Sequence, residues 1–221
     1  MSDSPPGIAD LLGVLAYAEL TAFLRLAEDA TRHAPSLTDR AALGGLAAVE
    51  YAHFELLRDR IASLGVDPEE AMAPFVGPLD AWHARTTPGD WLEALVKAYV
   101  GTGIALDFYR EAFYREAAAG MGEETRSLVD EVLADEERSQ FAVERVRAAL
   151  EEDPKLAGRL ALWSRRLVGE ALSQGRYVAE ARPALAELLA EAAGGEIGKM
   201  VTRLTEEHGE RMAALGLTPG P

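Results

Sequence analysis

Val49-Glu50-Tyr51-Ala52-His53-Phe54 is the stretch on which the fold turns. Glu50 and His53 stand three positions apart in a segment otherwise suited to a buried helix. Leu46, Glu50, His53 and Leu57 share one face at helical spacing. A carboxylate and an imidazole therefore point where apolar side chains should. Burying both is costly unless something pairs with them. A Glu-x-x-His pair directed into a helical bundle is half of the donor set with which four-helix proteins hold two metal ions.

Working outward, the segment belongs to a helix expected from Ser36 to about Leu64. Ser36 and Asp39 form its N-terminal cap signature and Gly65 stops it. A first helix precedes it from Gly7 to about Arg32, with Leu12, Leu15, Glu19, Phe23 and Leu26 as its stripe. His33-Ala34-Pro35 ends that helix, leaving His33 as an exposed end residue. The short turn between the two makes them antiparallel neighbours. Residues 66 to 87 hold Pro68, Pro74, Gly77 and Pro78, and read as a long connection with one helical turn near 67–73; His83 within it has no evident partner. Thr87-Pro88-Gly89-Asp90 opens a third helix, expected to about Ala119. A fourth is expected over about 123–151, a fifth over about 154–180, a short one to about 193, and a last one over about 196–215. Period-two alternation never persists, so no strand is expected. The fold class is all-α: two helical hairpins, a long crossover between helices two and three, and extra C-terminal helices. That connectivity is the one of ferritin-like four-helix bundles. One domain over 7–215 is expected, with 1–6 and 216–221 disordered.

Charge narrows the function classes. Asp and Glu number 37 against 22 Lys and Arg, a net charge of −15. Such a field repels phosphate backbones and argues against general nucleic-acid binding. Charged residues interrupt every apolar run, so no membrane span is expected. Met1 to Pro6 carries no signal-peptide pattern and Cys is absent, which fits a cytoplasmic chain and excludes thiolate metal sites. With four His in the chain, metal ligands must come mostly from carboxylates.

The bundle pattern asks for a carboxylate on helices one and three and a Glu-x-x-His pair on helices two and four. Glu19, Glu50 and His53 complete the first half. Asp107 and Asp135 are the candidates for the second, 28 positions apart against 31 for Glu19 and Glu50. Three residues after Asp135, where a histidine would complete the pair, stands Arg138. A guanidinium stays protonated and offers no lone pair to a metal. Three readings stay open: two metals with water replacing the absent ligand, one metal in the Glu19, Glu50, His53 half, or none, with Arg138 as counter-ion to the carboxylates. Two further residues border the site as modifiers. His208 lies in the apolar stripe Ile197, Val201, Leu204, His208, Met212, Leu215, as a core histidine or as the missing imidazole. Glu170 flanks the stripe Leu156, Leu160, Trp163, Leu167.

The hairpin–crossover–hairpin order, Glu19, Glu50-Tyr51-Ala52-His53 and the segment Trp163-Ser164-Arg165-Arg166-Leu167-Val168-Gly169-Glu170-Ala171-Leu172 resemble bacterial ferritin-like proteins. More narrowly, the chain resembles the group similar to the hydroxylase of methylthio-isopentenyl-adenosine in tRNA, over about residues 8 to 215. The resemblance implies a non-haem di-iron centre that activates O2 and hydroxylates an aliphatic C–H. It implies two iron ions, or one if the second half-site is lost, and an electron-donating reductase as partner; a homodimer is also open. The family's pattern implies His at position 138, where this chain has Arg138, and tRNA fits poorly with a charge of −15. The contrasting expectation is a non-catalytic ferritin-like bundle whose vestigial site is filled by an Arg138–carboxylate ion pair.

Overall fold

Helical periodicity becomes helix almost throughout. The computed structural model describes residues 7–113, 123–133, 137–192 and 197–218. Among them are nine helices and no strand: α1 (Ile8–Arg32), α2 (Leu37–Ser63), α3 (Pro68–Arg85), α4 (Trp91–Phe113), α5 (Glu123–Leu133), α6 (Glu137–Glu152), α7 (Leu156–Ala181), α8 (Pro183–Ala192) and α9 (Ile197–Ala214). None is long and apolar enough to cross a membrane.

The caps explain several boundaries. Ser36 Oγ accepts the Asp39 N–H at 3.0 Å and starts α2. Gly65, at φ 76°, turns the chain after it. Asp90 Oδ1 accepts the Glu93 N–H while Glu93 Oε2 accepts the Gly89 N–H, a reciprocal capping box opening α4.

The crossover differs from its expected form. Residues 68–85 are an eighteen-residue helix, although Pro74 and Pro78 lie inside it. Packing outweighs the two missing N–H groups: Ala71, Phe75, Pro78 and His83 are buried. Asp67 caps the start and Pro68 takes the first turn, where no N–H is needed. Gly13 lets α3 lie directly on α1, since a Cβ there would collide with the Ala71 carbonyl. Tyr17 donates to Asp80 at 2.9 Å, and Trp82 Nε1 donates to the Leu167 carbonyl at 3.1 Å. The crossover is therefore tied to α1 and to α7.

The expected fourth helix corresponds to α5 and α6, with 134–136 outside the described residues. At the C-terminus, Leu217, expected in a loose tail, is buried and its N–H bonds the Met212 carbonyl at 2.9 Å. His33 is not fully exposed either: it caps α1, with Nε2 3.9 Å from Asp29 Oδ1.

The core has three apolar parts. One joins α1, α2, α3, α5 and α8 around Leu12, Leu57 and Phe75. Another joins α4, α6, α7 and α9 around Leu95, Val146 and Leu167. A smaller one closes the α1–α2 seam with Leu26, Ala30, Leu43 and Ala47, packed on Trp91 and Ala98 of α4.

A polar knot sits where α1, α3 and α4 meet. Lys97 is buried, donates to the Thr86 carbonyl at 2.8 Å, and lies 5.0 Å over the Trp82 ring. Asp29 and His83 are buried beside it. Burial pushes the Lys97 ammonium down to about 8 from its ordinary 10.5, Asp29 pulling the other way. The folded value is the lower one, so the unfolded chain binds more protons across this window. Stability from this group therefore rises with pH between about 8 and 10.5. Tyr17, pushed up to about 12 from 10.0, opposes this only above pH 10. Urea denaturation should show Lys97 adding about 1–2 kcal/mol between roughly pH 7.5 and 9.5. Lys97→Met should lack that rise.

Candidate metal centre

Glu19 stands near the middle of α1, and Glu50 and His53 near the middle of α2. Each is bracketed along its helix by apolar core: Ala16 and Leu26 on α1, Ala47 and Phe54 on α2. The three form a polar layer between two apolar clusters. Glu50 is 2% exposed, and the side chains of His53 and Glu19 are 11% and 13% exposed. His53 Nδ1 lies 3.6 Å from Glu19 Oε2, beyond hydrogen-bond distance. Both atoms are buried and neither has a hydrogen-bond partner among the described residues. One donor atom from each of the three lies within 4.8 Å of the others, the only such group of three among the described residues.

This geometry fits a cation. Donors about 2.1 Å from one ion stand roughly 3 to 4.2 Å apart, and the measured 3.6 Å lies inside that range. The donor set is two carboxylates and an imidazole, suited to Fe(II), Mn(II) or Zn(II). The orphaned nitrogen and oxygen are what such an ion would satisfy.

Of the other expected residues, Asp107, His208 and Glu170 have described side chains. Asp107 is buried on α4, but its carboxylate accepts from the Arg211 guanidinium of α9. Ala105, which packs against the α1–α2 cluster, is two positions away and so about 200° round the helix. Asp107 thus faces α9, and Gly103, one turn earlier, makes the room: a Cβ there would collide with Arg211. Asp135 lies outside the described residues. Arg138 falls in α6, and its side chain is likewise outside the described part. Glu170 is at the surface, 3.3 Å from Arg85.

Residues 5–192 match the family described as a ferritin-like domain of actinomycetes. The chain belongs to that family. No curated protein matches it. The ferritin-like match ends before α9, so Arg211 and His208 reach the domain from beyond the matched segment. Sequence reasoning missed Arg211 altogether. Its one signal was its place three residues after His208, on the helix's inner stripe, which makes it a cation needing a buried partner.

His208 is buried at 6% exposure, and neither ring nitrogen has a partner among the described residues. Burial first, then the charges of Arg211 and Arg165, push it down to about 4 from 6.5. Two guanidinium neighbours make poor company for a metal ion, and His208 is not part of the Glu19, Glu50, His53 group. Its folded value lies below the unfolded one, so its contribution is present above pH 6.5 and is lost as pH falls toward 4. His208→Phe should retain about 1–2 kcal/mol more of its neutral-pH stability at roughly pH 5 than the parent does, read by urea denaturation at both pH values.

Proposed function

We propose that the protein is a ferritin-like iron protein and an O2-dependent hydroxylase, similar in kind to the tRNA-modifying hydroxylases it resembles. The observation that carries the reading is the facing pair of orphaned donors, Glu19 Oε2 and His53 Nδ1, beside the buried Glu50. Glu19, Glu50 and His53 would hold the iron, with Asp135 as a further ligand in the two-iron form. Bound iron supplies O2 activation, which the side chains alone cannot provide.

The protein's own part is positional. The α1–α2 seam fixes the three donors between apolar layers, which keeps bulk water off the site. The two carboxylates carry the negative charge that favours a dication over a proton. Phe23, Tyr51 and Phe54 form an aromatic group on the same two helices, with the Tyr51 ring 5.1 Å from Phe23 and 5.7 Å from Phe54. Electrons come from a separate reductase. A net charge of −15 favours a substrate less anionic than tRNA.

A second reading rests on a specific observation: Asp107 already has a guanidinium. With that acid neutralised by Arg211 and an arginine at position 138, the second half of the centre is depleted. The bundle would then bind one ion, or none, without turnover.

Anaerobic Fe(II) titration, followed by calorimetry and elemental analysis, separates these readings. Binding of one or two ions per chain is expected. His53→Ala and Glu50→Ala should each weaken it at least about tenfold while far-UV circular dichroism stays unchanged. O2 uptake by the reduced, loaded protein supports the hydroxylase, and binding without uptake supports the second reading. Absence of binding to the parent protein would overturn the metal centre itself.

A further inference from the structure

α9 packs on α4 and α7 through Met212 and Leu215. One turn before Met212 that apolar contact gives way to polar groups with unused hydrogen bonds. His208 is buried, and both its ring nitrogens lack a partner among the described residues. Arg211, three positions on, shares its face of the helix. Its Nη2 is taken by Asp107, but its Nε is buried and unpartnered. Gly103 of α4 makes the room in which that guanidinium lies. Buried donors left unmatched are costly, and native interiors match them with an ion, a ligand or water.

The sign of the local charge narrows the choice. The charges that act on the His208 ring are those of Arg211 and Arg165, and no acid is among them. The acids of α9, Glu206, Glu207 and Glu210, lie on its exposed side. Asp107 answers Arg211, whereas Arg165 has the Thr218 carbonyl at 3.4 Å and no carboxylate among the described residues. Two guanidinium groups against one carboxylate leave a single positive charge, inside a chain of net charge −15. Tyr99 of α4, half-buried, also feels the Arg211 charge and adds a hydroxyl to the same region. Burial keeps the His208 ring neutral at pH 7, so it offers one N–H beside the Arg211 Nε–H.

We propose that α4, α7 and α9 form a binding site for a small monocarboxylate, held by the Arg211 Nε–H and the His208 ring N–H, with the exposed Arg165 at its mouth. A carboxylate has two acceptor oxygens and so takes both donors at once. It brings one negative charge against the one positive charge left over. A phosphate, with up to about two charges at neutral pH, overshoots it. Met212 and Leu215 continue the face in apolar form, which suits a short alkyl end. The site shares no residue with Glu19, Glu50 and His53, and α9 lies beyond the segment matched to the family.

Acetate is the probe, replacing chloride at constant ionic strength in metal-free protein at pH 7. Nitrogen-15 NMR of histidine-labelled protein reads the ring nitrogens directly, and four histidines are few enough to resolve. His208→Asn assigns the signal. Acetate should move the His208 resonances saturably and leave those of His33, His53 and His83 in place. Arg165→Gln should raise the acetate dissociation constant at least about threefold, while Arg165→Lys keeps most of the affinity. A His208 signal without saturation, as for a space filled by water alone, overturns the site. An equal response to phosphate overturns the carboxylate assignment, and full affinity in Arg165→Gln overturns the place given to Arg165.

Discussion

The structure depends on how α1 and α2 tolerate a polar layer in their shared seam. Glu19, Glu50 and His53 interrupt an otherwise apolar contact between the Leu26–Ala47 cluster above and the Ala16–Phe54 cluster below. Glu19 Oε2 and His53 Nδ1 are 3.6 Å apart and neither has a hydrogen-bond partner among the described residues. In water each would be well solvated; in the seam each has lost that solvation. The apolar clusters on both sides hold the arrangement, so the donors cannot turn outward without opening the core. A cation placed there binds only the folded chain, and so adds its binding free energy to stability.

The opposite side of the bundle resolves a similar difficulty in a different way. Asp107 is as buried as Glu50, at 4% against 2%, yet it has been given a permanent cation. That cation comes from α9, a helix outside the four-helix plan, and it reaches the acid over the backbone of Gly103. A buried acid with a guanidinium is weak evidence for stability. What it does show is that this carboxylate has a countercharge supplied by the chain itself. The asymmetry among the described residues is therefore chemical: Glu19 and His53 keep donor atoms open, while Asp107 is closed by an internal ion pair.

Much of this was legible from spacing alone. The α1 stripe through Glu19 and the α2 face through Glu50 and His53 follow directly from 3.6-residue periodicity, and both faces are where that period puts them. The caps at Ser36 and Gly65 were equally readable, being local. α3 was not, because two prolines argue locally against helix while the burial of Ala71 and Phe75, four residues apart, depends on surfaces distant in sequence. The same reason hid the partner of Asp107. Arg211 is 104 positions away, and nothing at either position announces the other. Lys97 escaped notice likewise, since its aromatic neighbour Trp82 belongs to the helix that proline concealed and its accepting carbonyl, of Thr86, caps that helix's end.

α2 carries two of the three donors, and its composition bears on how they are held. A helix apolar on one side packs once; α2 carries apolar and small residues round most of its circumference, as buried helices do. Its inner face is covered by α1 and carries two of the three donors. Its outer face has two adjacent glycines within six residues of Glu50, the least rigid place to anchor a ligand. A metal-binding helix needs its donors fixed to within a fraction of an ångström. Ala47, Phe54 and Leu57 supply that fixing by packing into the apolar clusters shared with α1.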